Sequence, residues 1–248
     1  MSDFRRHARQ VVLPEVGVAG QQLLRDSSVL IVGCGGLGSP AALYLAAAGV
    51  GRLVLADRDR VERSNLQRQL LYTEADVGRR KLDAARERLL ALDASLIVET
   101  LDGDTELAQF PARVAEADVV LDCTDNFPAR FAINAACLRA RKPLVSGAAI
   151  RLEGQVAAFD LRQGGPCYAC LYPDAGEPAE ACEDAGVLGP VVGVIGAMQA
   201  LLAIQLLLGH ADNTGVLHCW DARCFDWRKL RLLRDPACPH CGPAAATA

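Results

Sequence analysis

The sequence predicts an α/β fold in which a mostly parallel sheet carries helices on both faces. Two observations support this. Short apolar runs alternate with helical segments from residue 28 to about residue 150, which is typical of parallel strands joined by right-handed crossovers. A glycine-rich turn also joins the first apolar run to a helix, as in nucleotide-binding sheets. We therefore expect one domain over residues 1–248.

Each predicted strand of the ATP-binding part, about 28–150, is a short aliphatic run, and each helix repeats apolar residues at helical spacing. A helix at 16–25 precedes this part, and a polar, irregular segment at 61–70 is predicted to be a loop with a helical turn. The predicted strands are 29–32, 53–56, 96–101, 119–121 and 143–148. The predicted helices are 39–48, 78–92, 105–117 and 128–140.

The C-terminal part, about 151–242, is predicted to extend the sheet in an antiparallel direction. Its strands are expected at 153–160, 215–220 and 227–233. The segment 164–189 is rich in Gly, Pro, Cys and acidic residues, and long loops of this kind often act as lids.

The segment 189–208 carries no charge and is long enough to cross a membrane. Two glutamines, Gln199 and Gln205, interrupt it, and no basic flank follows Leu208. We therefore predict a buried core helix and no membrane span.

Composition narrows the class of function. The net charge of −4 argues against nucleic-acid binding. The first ten residues are charged and contain no apolar stretch, so we expect no signal peptide and a cytoplasmic protein. Ten cysteines in such a protein indicate metal-binding or catalytic thiols rather than a disulfide framework.

The glycine-rich turn runs Gly33-Cys34-Gly35-Gly36-Leu37-Gly38 and has the G-x-G-x-x-G pattern. Glycines allow a sharp turn and let a phosphate approach the backbone N–H groups at a helix start. Asp57 ends the next apolar run, where a carboxylate can accept hydrogen bonds from a ribose. This unit predicts a nucleotide site in a Rossmann-like sheet; the alternative is a tight turn without a ligand.

Polar residues follow the predicted strands on the edge where the glycine turn opens. Asn65, Arg68 and Gln69 follow the second strand, and Asp125 follows the fourth. With Lys81 and the glycine amides they could converge on one triphosphate, because ligands bind at the carboxyl ends of parallel strands. The alternative is a solvated, charged loop.

Three carboxylates fall on the same predicted edge. Asp57, Asp59 and Asp125 could together hold Mg²⁺, whose protein ligands are carboxylates that act with phosphate oxygens.

Two Cys-x-x-Cys pairs, Cys167 with Cys170 and Cys238 with Cys241, predict a closed tetrahedral zinc site. Because 67 residues separate the pairs, this four-cysteine zinc clip would join distant segments. A redox pair or incidental thiols are the alternatives.

The remaining cysteines give weaker signals. Cys182 lies unpaired in the 164–189 loop and is either an inert residue or a nucleophile, and its acidic neighbours would raise its pKa. The others are predicted to be packing residues: Cys34, Cys123, Cys137, Cys219 and Cys224.

Taken in order, these motifs resemble the ThiF/MoeB/HesA family, bacterial relatives of the ubiquitin-activating enzymes. The resemblance runs from about Arg6 to Gly242 and rests on several independent segments: Arg9-Gln10, the 33–38 turn, Leu55 to Asp59, Ser64 to Gln69, Lys81, Cys123 to Asn126 and the two cysteine pairs. It implies ATP-dependent adenylylation of the C-terminal glycine carboxylate of a ubiquitin-like sulfur carrier ending in Gly-Gly. ATP, Mg²⁺ and a structural Zn²⁺ are the implied cofactors.

The resemblance also implies roles for individual residues. The glycine turn (Gly33, Gly35, Gly36 and Gly38), Asp57 and Asp59 would hold the nucleotide. The phosphate contacts would come from Asn65, Arg68, Gln69 and Lys81. Asp125 would bind Mg²⁺, Arg9 would reach across a homodimer interface, and Cys182 would bond to the carrier in a later sulfur step that involves a sulfur donor protein.

The segment 171–187 is more similar to ThiF, which serves thiamine synthesis, than to MoeB, which serves molybdopterin synthesis. His7 departs from the tyrosine usual in the family. Two other classes compete with this interpretation. The glycine turn and Asp57 equally suit an NAD-dependent oxidoreductase, and a zinc-clipped module could bind a ubiquitin-like partner without catalysis.

Overall fold

The computed structural model describes residues 5–103, 105–173 and 186–242. The strands in this part of the chain are β1 (Ser28–Val32), β2 (Arg52–Asp57), β3 (Ile97–Asp102), β4 (Val119–Asp122), β5 (Leu144–Ile150), β6 (Glu153–Phe159), β7 (Val216–Asp221) and β8 (Asp226–Arg231). The helices are α1 (Ala8–Val11), α2 (Gly17–Asp26), α3 (Gly38–Ala47), α4 (Lys81–Leu92), α5 (Phe110–Glu116), α6 (Phe127–Ala140), α7 (Tyr168–Leu171) and α8 (Gly189–Leu207).

One sheet contains all eight of these strands, in the order β3-β2-β1-β4-β5-β6-β7-β8. The first five in that order are parallel. The chain moves outward from β1 to β3 and then returns to the other side of β1 as β4. This reversal leaves a crevice at the carboxyl ends of β1 and β4, which is where ligands bind in open α/β sheets.

The antiparallel extension predicted for the C-terminal part is confirmed. β6 pairs with β5, β7 with β6, and β8 with β7, all antiparallel. Every residue of β8 is exposed, and its Trp227 ring stacks on Trp220 of β7 at 5.3 Å.

Helices cover both faces of the sheet, as predicted. Alternate strand residues point to opposite faces, so Val29 and Ile31 pack in one core and Leu30 and Val32 in the other. The first core lies under α2, α3, α4 and α8. The second lies under α5, α6 and α7, and it includes Cys167 and Cys238.

Helix α8 is long and apolar enough to cross a membrane, but half of its most apolar window is buried inside the protein. It packs against α3 and the middle of the sheet. Its Gln199 is fully buried and donates a hydrogen bond to the Asp122 backbone oxygen at 2.7 Å. The prediction of a core helix at 189–208 is therefore confirmed.

Three predicted boundaries were wrong. The helix predicted at 78–92 begins at Lys81, because Gly78 has a φ of +87° that a helix does not allow. The helix predicted at 105–117 begins at Phe110, with a proline in its first turn. The 164–189 loop contains the short helix α7, which carries Cys170.

Candidate active site

A cleft of about 530 Å³ opens where the strand order reverses. It collects most of the residues predicted to bind nucleotide from segments far apart in the sequence. The predicted residues in its lining are Gly33, Gly35, Gly36, Asp57, Asp59, Asn65, Arg68, Gln69, Lys81 and Asp125. Tertiary structure therefore brings the polar loop, the glycine turn and the end of β4 into one site.

The glycine turn needs glycine at two positions for steric reasons. Gly33 has a φ of +91°, a conformation that L side chains rarely adopt. A Cβ on Gly38 would lie 1.9 Å from the Gly33 carbonyl oxygen. Gly35 instead lines the cleft, with only the end of the Gln69 side chain near its missing Cβ, at 3.6 Å. The backbone of the turn is therefore open to a ligand.

The Asp57 carboxylate holds this turn in place. Its Oδ2 accepts a hydrogen bond from the Cys34 N–H at 2.7 Å, and its Oδ1 accepts one from the Asp59 N–H at 2.8 Å. Each carboxylate oxygen can accept a second hydrogen bond. The predicted ribose contact of Asp57 thus stays a prediction, alongside a structural role that the sequence did not reveal.

Lys81 places a buried positive charge in the cleft wall. The residue is 5% exposed, and its Nζ lies 2.7 Å from Asp59 Oδ2 and 4.0 Å from Asp57 Oδ1. Its backbone N–H also donates to the Asp59 carbonyl oxygen at 3.0 Å. A phosphate oxygen entering the cleft would meet an ammonium group already fixed in position.

Asn65 ends a short 3₁₀ turn, Arg63–Asn65, and Arg68 and Gln69 follow it; all three line the cleft. Arg68 Nη1 donates to the Ser64 carbonyl oxygen at 3.0 Å, which leaves the rest of its guanidinium for other acceptors. Gln69 is buried, and its Oε1 has no hydrogen-bond partner among the described residues. Its unsatisfied amide oxygen favours a ligand that can donate a hydrogen bond.

The predicted magnesium site of three carboxylates does not assemble. Among the described residues, only the four clip cysteines form a group of three or more potential metal ligands. Asp59 is paired with Lys81 instead, and this ion pair is the physical reason. Asp125 is exposed at the edge of the cleft, next to Asn126, whose side chain caps α6 by accepting from the Ala129 N–H at 2.9 Å.

The structure assigns no site role to two other predicted residues. Arg9 is exposed on α1 and does not line the cleft. Cys182 lies outside the described residues. Their roles stay predictions.

Sequence reasoning missed three arginines in the cleft lining: Arg58, Arg60 and Arg130. The first two flank Asp59, so their positions beside the predicted strand end were a usable signal. Arg130 lies in α6 four residues after Asn126, which places it one helical turn away from the strand end.

The two Cys-x-x-Cys pairs meet on the other side of the sheet, as predicted. The four Sγ atoms all lie within 4.8 Å of one another. Cys167 and Cys238 are 3.7 Å apart, Cys170 and Cys241 3.5 Å, and Cys167 and Cys170 4.0 Å. A zinc tetrahedron with bonds of about 2.3 Å has edges of roughly 3.8 Å, so the donor set fits zinc.

The surroundings of these sulfurs also suit bound thiolates. The Asp235 N–H donates to Cys170 Sγ at 3.4 Å, and Asn134 Nδ2 donates to Cys167 Sγ at 3.7 Å. Without a cation, burial and the neighbouring thiols raise the pKa of Cys241 to about 11. A metal ion would offset that cost by stabilising the thiolates.

The prediction for the remaining cysteines is confirmed in part. Cys34, Cys123 and Cys137 are buried, and burial raises the pKa of all three thiols, so they are packing residues. Cys219 is half-buried. Cys224 is exposed in the β7–β8 turn, so the prediction that it packs in the core was wrong.

The fold and the cleft define a Rossmann-like α/β protein with a polar ligand site at its switch point. The sequence model of the ThiF family matches residues 7–240, and the chain therefore belongs to the ThiF family. This confirms the resemblance drawn from the motifs.

Two relatives from Escherichia coli K12 match along nearly their whole length. The sulfur carrier protein ThiS adenylyltransferase is 48% identical over 244 residues, which are 98% of this chain and 97% of the relative. The molybdopterin-synthase adenylyltransferase is 46% identical over 241 residues, 97% of each.

Among solved structures, the fold is similar to that of E. coli MccB crystallised with ATP. The TM-score is 0.77 at 25% identity, covering 90% of this chain and 68% of that one.

Proposed function

We propose that the protein adenylylates the C-terminal glycine carboxylate of a ubiquitin-like sulfur carrier at the expense of ATP, releasing pyrophosphate. The observation that supports it most is the convergence of Lys81, Arg68, Asp125 and the open glycine turn on one cleft. The chain also matches two adenylyltransferases along its full length.

The chemistry suits these residues. One carboxylate oxygen attacks the α-phosphorus, and the bond between that phosphorus and the pyrophosphate oxygen breaks. The nucleophile is already ionised, so no general base is needed, and the work consists of positioning and charge neutralisation. Lys81, Arg68 and the backbone N–H groups of the glycine turn would hold the phosphates in place.

Two metal ions belong to the proposal. Mg²⁺ would neutralise phosphate charge during the displacement, with Asp125, exposed beside the cleft, as its protein ligand. Zn²⁺ would be held by Cys167, Cys170, Cys238 and Cys241 as a closed structural site. Four sulfur ligands leave no open position for catalysis.

A homodimer completes the proposal. Arg9 lies outside the cleft of its own chain, so it would contribute to the cleft of a second copy. The compartment proposed is the cytoplasm, where the thiols would stay reduced.

We favour a ThiS-like carrier and thiamine thiazole synthesis because the segment 171–187 resembles ThiF. A MoaD-like carrier in molybdopterin synthesis is the second candidate, since the molybdopterin-synthase relative is nearly as similar.

The decisive experiment is ATP–pyrophosphate exchange with each carrier, followed by mass spectrometry of the carrier. We expect exchange, and an adenylate on the ThiS-like carrier. Exchange with only the MoaD-like carrier would favour a role in molybdopterin synthesis. No exchange with either, together with tight NAD binding, would favour an oxidoreductase instead.

Cys182 would act only after adenylylation, in the later sulfur step that the family resemblance implies. The variant Cys182→Ala should keep the wild-type rate of exchange and lose only the later sulfur step. A collapse of exchange in this variant would mean that Cys182 has a structural role.

A further inference from the structure

One charged side chain that lines the cleft, Arg130, is not among the residues proposed to bind phosphate. Arg130 is 8% exposed, and its Nη2 donates to the Thr124 carbonyl oxygen at 2.8 Å. Its Nε is buried and has no hydrogen-bond partner among the described residues. A buried guanidinium donor without an acceptor is costly, so the site favours a ligand that supplies one.

The surroundings keep this guanidinium charged. Burial is the largest single influence and opposes the charge, but the carboxylate of Asp122 and the hydroxyls of Tyr168 and Tyr172 together outweigh it, so the pKa of Arg130 is raised. The nearby Tyr168 hydroxyl acts in the same direction, although it does not meet hydrogen-bond geometry with Nε. Asp122 accepts from the hydroxyls of Thr124 and Ser146 at 2.6 and 2.7 Å, and it makes no hydrogen bond with the unpartnered donor. The missing acceptor therefore has to come from outside this network.

The position of Arg130 indicates what that acceptor is. Along the sheet edge, Lys81 lies beyond the end of β2, the glycine turn follows β1, and Arg130 lies beyond the end of β4. The residue lines both the nucleotide cleft and a small neighbouring cavity at β5 and β6. Arg130 thus separates the phosphate end of the site from this second cavity.

The second cavity is too small to admit a chain end. It offers about 10 Å³, which is room for one group of the size of a water molecule. Gly147 and Ala148 form one wall, and Tyr168 and Tyr172 form the other. The Tyr168 hydroxyl is also buried without a hydrogen-bond partner among the described residues. The cavity therefore has room for one carboxylate oxygen beside the polar donors of Arg130 and Tyr168, while the rest of the chain end would lie in the cleft.

We propose that Arg130 binds the C-terminal carboxylate of the carrier and turns one of its oxygens toward the α-phosphorus. This inference rests on the proposed function. When that oxygen bonds to phosphorus and pyrophosphate leaves, the carboxylate becomes a neutral acyl group. The charge-assisted hydrogen bond to Arg130 is then weakened, which assists release of the carrier adenylate.

The test compares the ThiS-like carrier with the same carrier ending in a C-terminal amide, which cannot react. Hydrogen bonds to charged groups contribute enough for a tenfold to hundredfold difference. We expect the wild-type protein to bind the amide roughly tenfold or more weakly than the acid. Equal binding of acid and amide by the wild type would overturn the inference, whatever the variants do.

The variant Arg130→Gln should lose this discrimination and raise the KM for the carrier roughly tenfold, with the KM for ATP within about twofold of wild type. Arg130→Lys keeps the charge without the planar fork and should discriminate to an intermediate degree. Arg139→Gln, an exposed arginine on the same helix, is the matched control and should behave as wild type.

The outcomes separate this inference from the proposed function. If Arg130→Gln raises the KM for ATP as much as that for the carrier, Arg130 only supports the Thr124 loop and the inference is wrong. Retained discrimination in Arg130→Gln also overturns it. If the wild type shows no ATP–pyrophosphate exchange at all, the proposed function is wrong, and the inference that rests on it is wrong as well.

Discussion

The parallel part of the sheet, 28–150, and the antiparallel part, 151–242, are stabilised in different ways. In the parallel part, β1 is buried along its whole length and the glycine turn follows it directly. In the antiparallel part, β8 is exposed throughout, and two cysteine pairs distant in sequence come together in space. One part depends on local backbone geometry, and the other on contacts between distant segments.

This difference has a functional consequence. The glycine turn of the cleft lies between β1 and α3, so its backbone donors are held in place before any ligand arrives. The four-cysteine cluster belongs to the second core, and Tyr168 and Leu171 of the adjoining α7 line the cavity beside Arg130. The clip therefore supports the side of the cleft where the carrier is proposed to enter.

The largest effect is expected from breaking the clip. Cys170→Ser should release zinc and lower the free energy of unfolding by roughly 5 kcal/mol, a part of the ~10–16 kcal/mol that zinc contributes in small zinc-binding peptides. Metal analysis and chemical denaturation measure both effects. The exposed Cys224→Ser is the matched control and should change neither. Normal stability of Cys170→Ser without zinc would contradict the structural role of the clip.

The next effect tests the local backbone of the parallel part. Gly38→Ala would push a Cβ to within 1.9 Å of a backbone oxygen, so the turn must distort. We expect a loss of about 3–4 kcal/mol in unfolding free energy and weakened ATP binding. Gly193→Ala, which meets nothing within 4 Å on helix α8, should be neutral or slightly stabilising. Similar unfolding free energies for both variants would show that the close contact at Gly38 does not constrain the turn.

A third change should affect activity without affecting stability. Asp125→Ala removes an exposed carboxylate, so we expect a normal thermal unfolding curve. Adenylate formation should fall by about 10²–10³-fold, while the carrier still binds. Asp226→Ala, at the exposed start of β8, serves as the control. Unchanged activity of Asp125→Ala would favour a non-catalytic binding module.

The smallest effect is a pH dependence in the parallel part. Arg52 donates to Glu99 across β2 and β3 at 2.8 Å, and this hydrogen bond lowers the pKa of Glu99 below its ordinary 4.5. The contribution of this pair to the free energy of unfolding is therefore present above pH 4.5. It is lost as the pH falls through the lowered pKa of Glu99. Because the pair is partly exposed, it amounts to less than about 0.5 kcal/mol.

Denaturation of Glu99→Gln at acidic to near-neutral pH, from about pH 3 to about pH 6, measures this contribution. The difference from wild type should shrink as the pH falls. A difference that grows on acidification would mean that the pKa of Glu99 is not lowered in the folded protein.

Much of the parallel part was predictable because its signals are local. The buried strands, the glycine turn and Asp57 follow one another within about thirty residues, and their periodicity determines the element types. The clustering of the cysteine pairs was predictable for another reason: two Cys-x-x-Cys pairs together supply the four sulfur ligands of a tetrahedral site.

Other features required contacts that no local pattern carries. The pairing of Lys81 with Asp59 took one carboxylate out of the predicted magnesium site. The hydrogen bonds of Asp57 to Cys34 and Asp59 gave a predicted ligand-binding residue a structural role. Helix starts were also misplaced where a positive φ or a proline decided the boundary.

By itself, the sequence determined the α/β class, the antiparallel extension, the core helix, the glycine-rich turn and the four cysteines that cluster. These depend on periodicity, glycine sterics and metal-ligand spacing, which are properties of neighbouring residues. Only the tertiary structure decided which charges meet and which remain unpartnered. Arg130 is the clearest case, because a buried donor without an acceptor can be recognised only when every neighbouring element is in place.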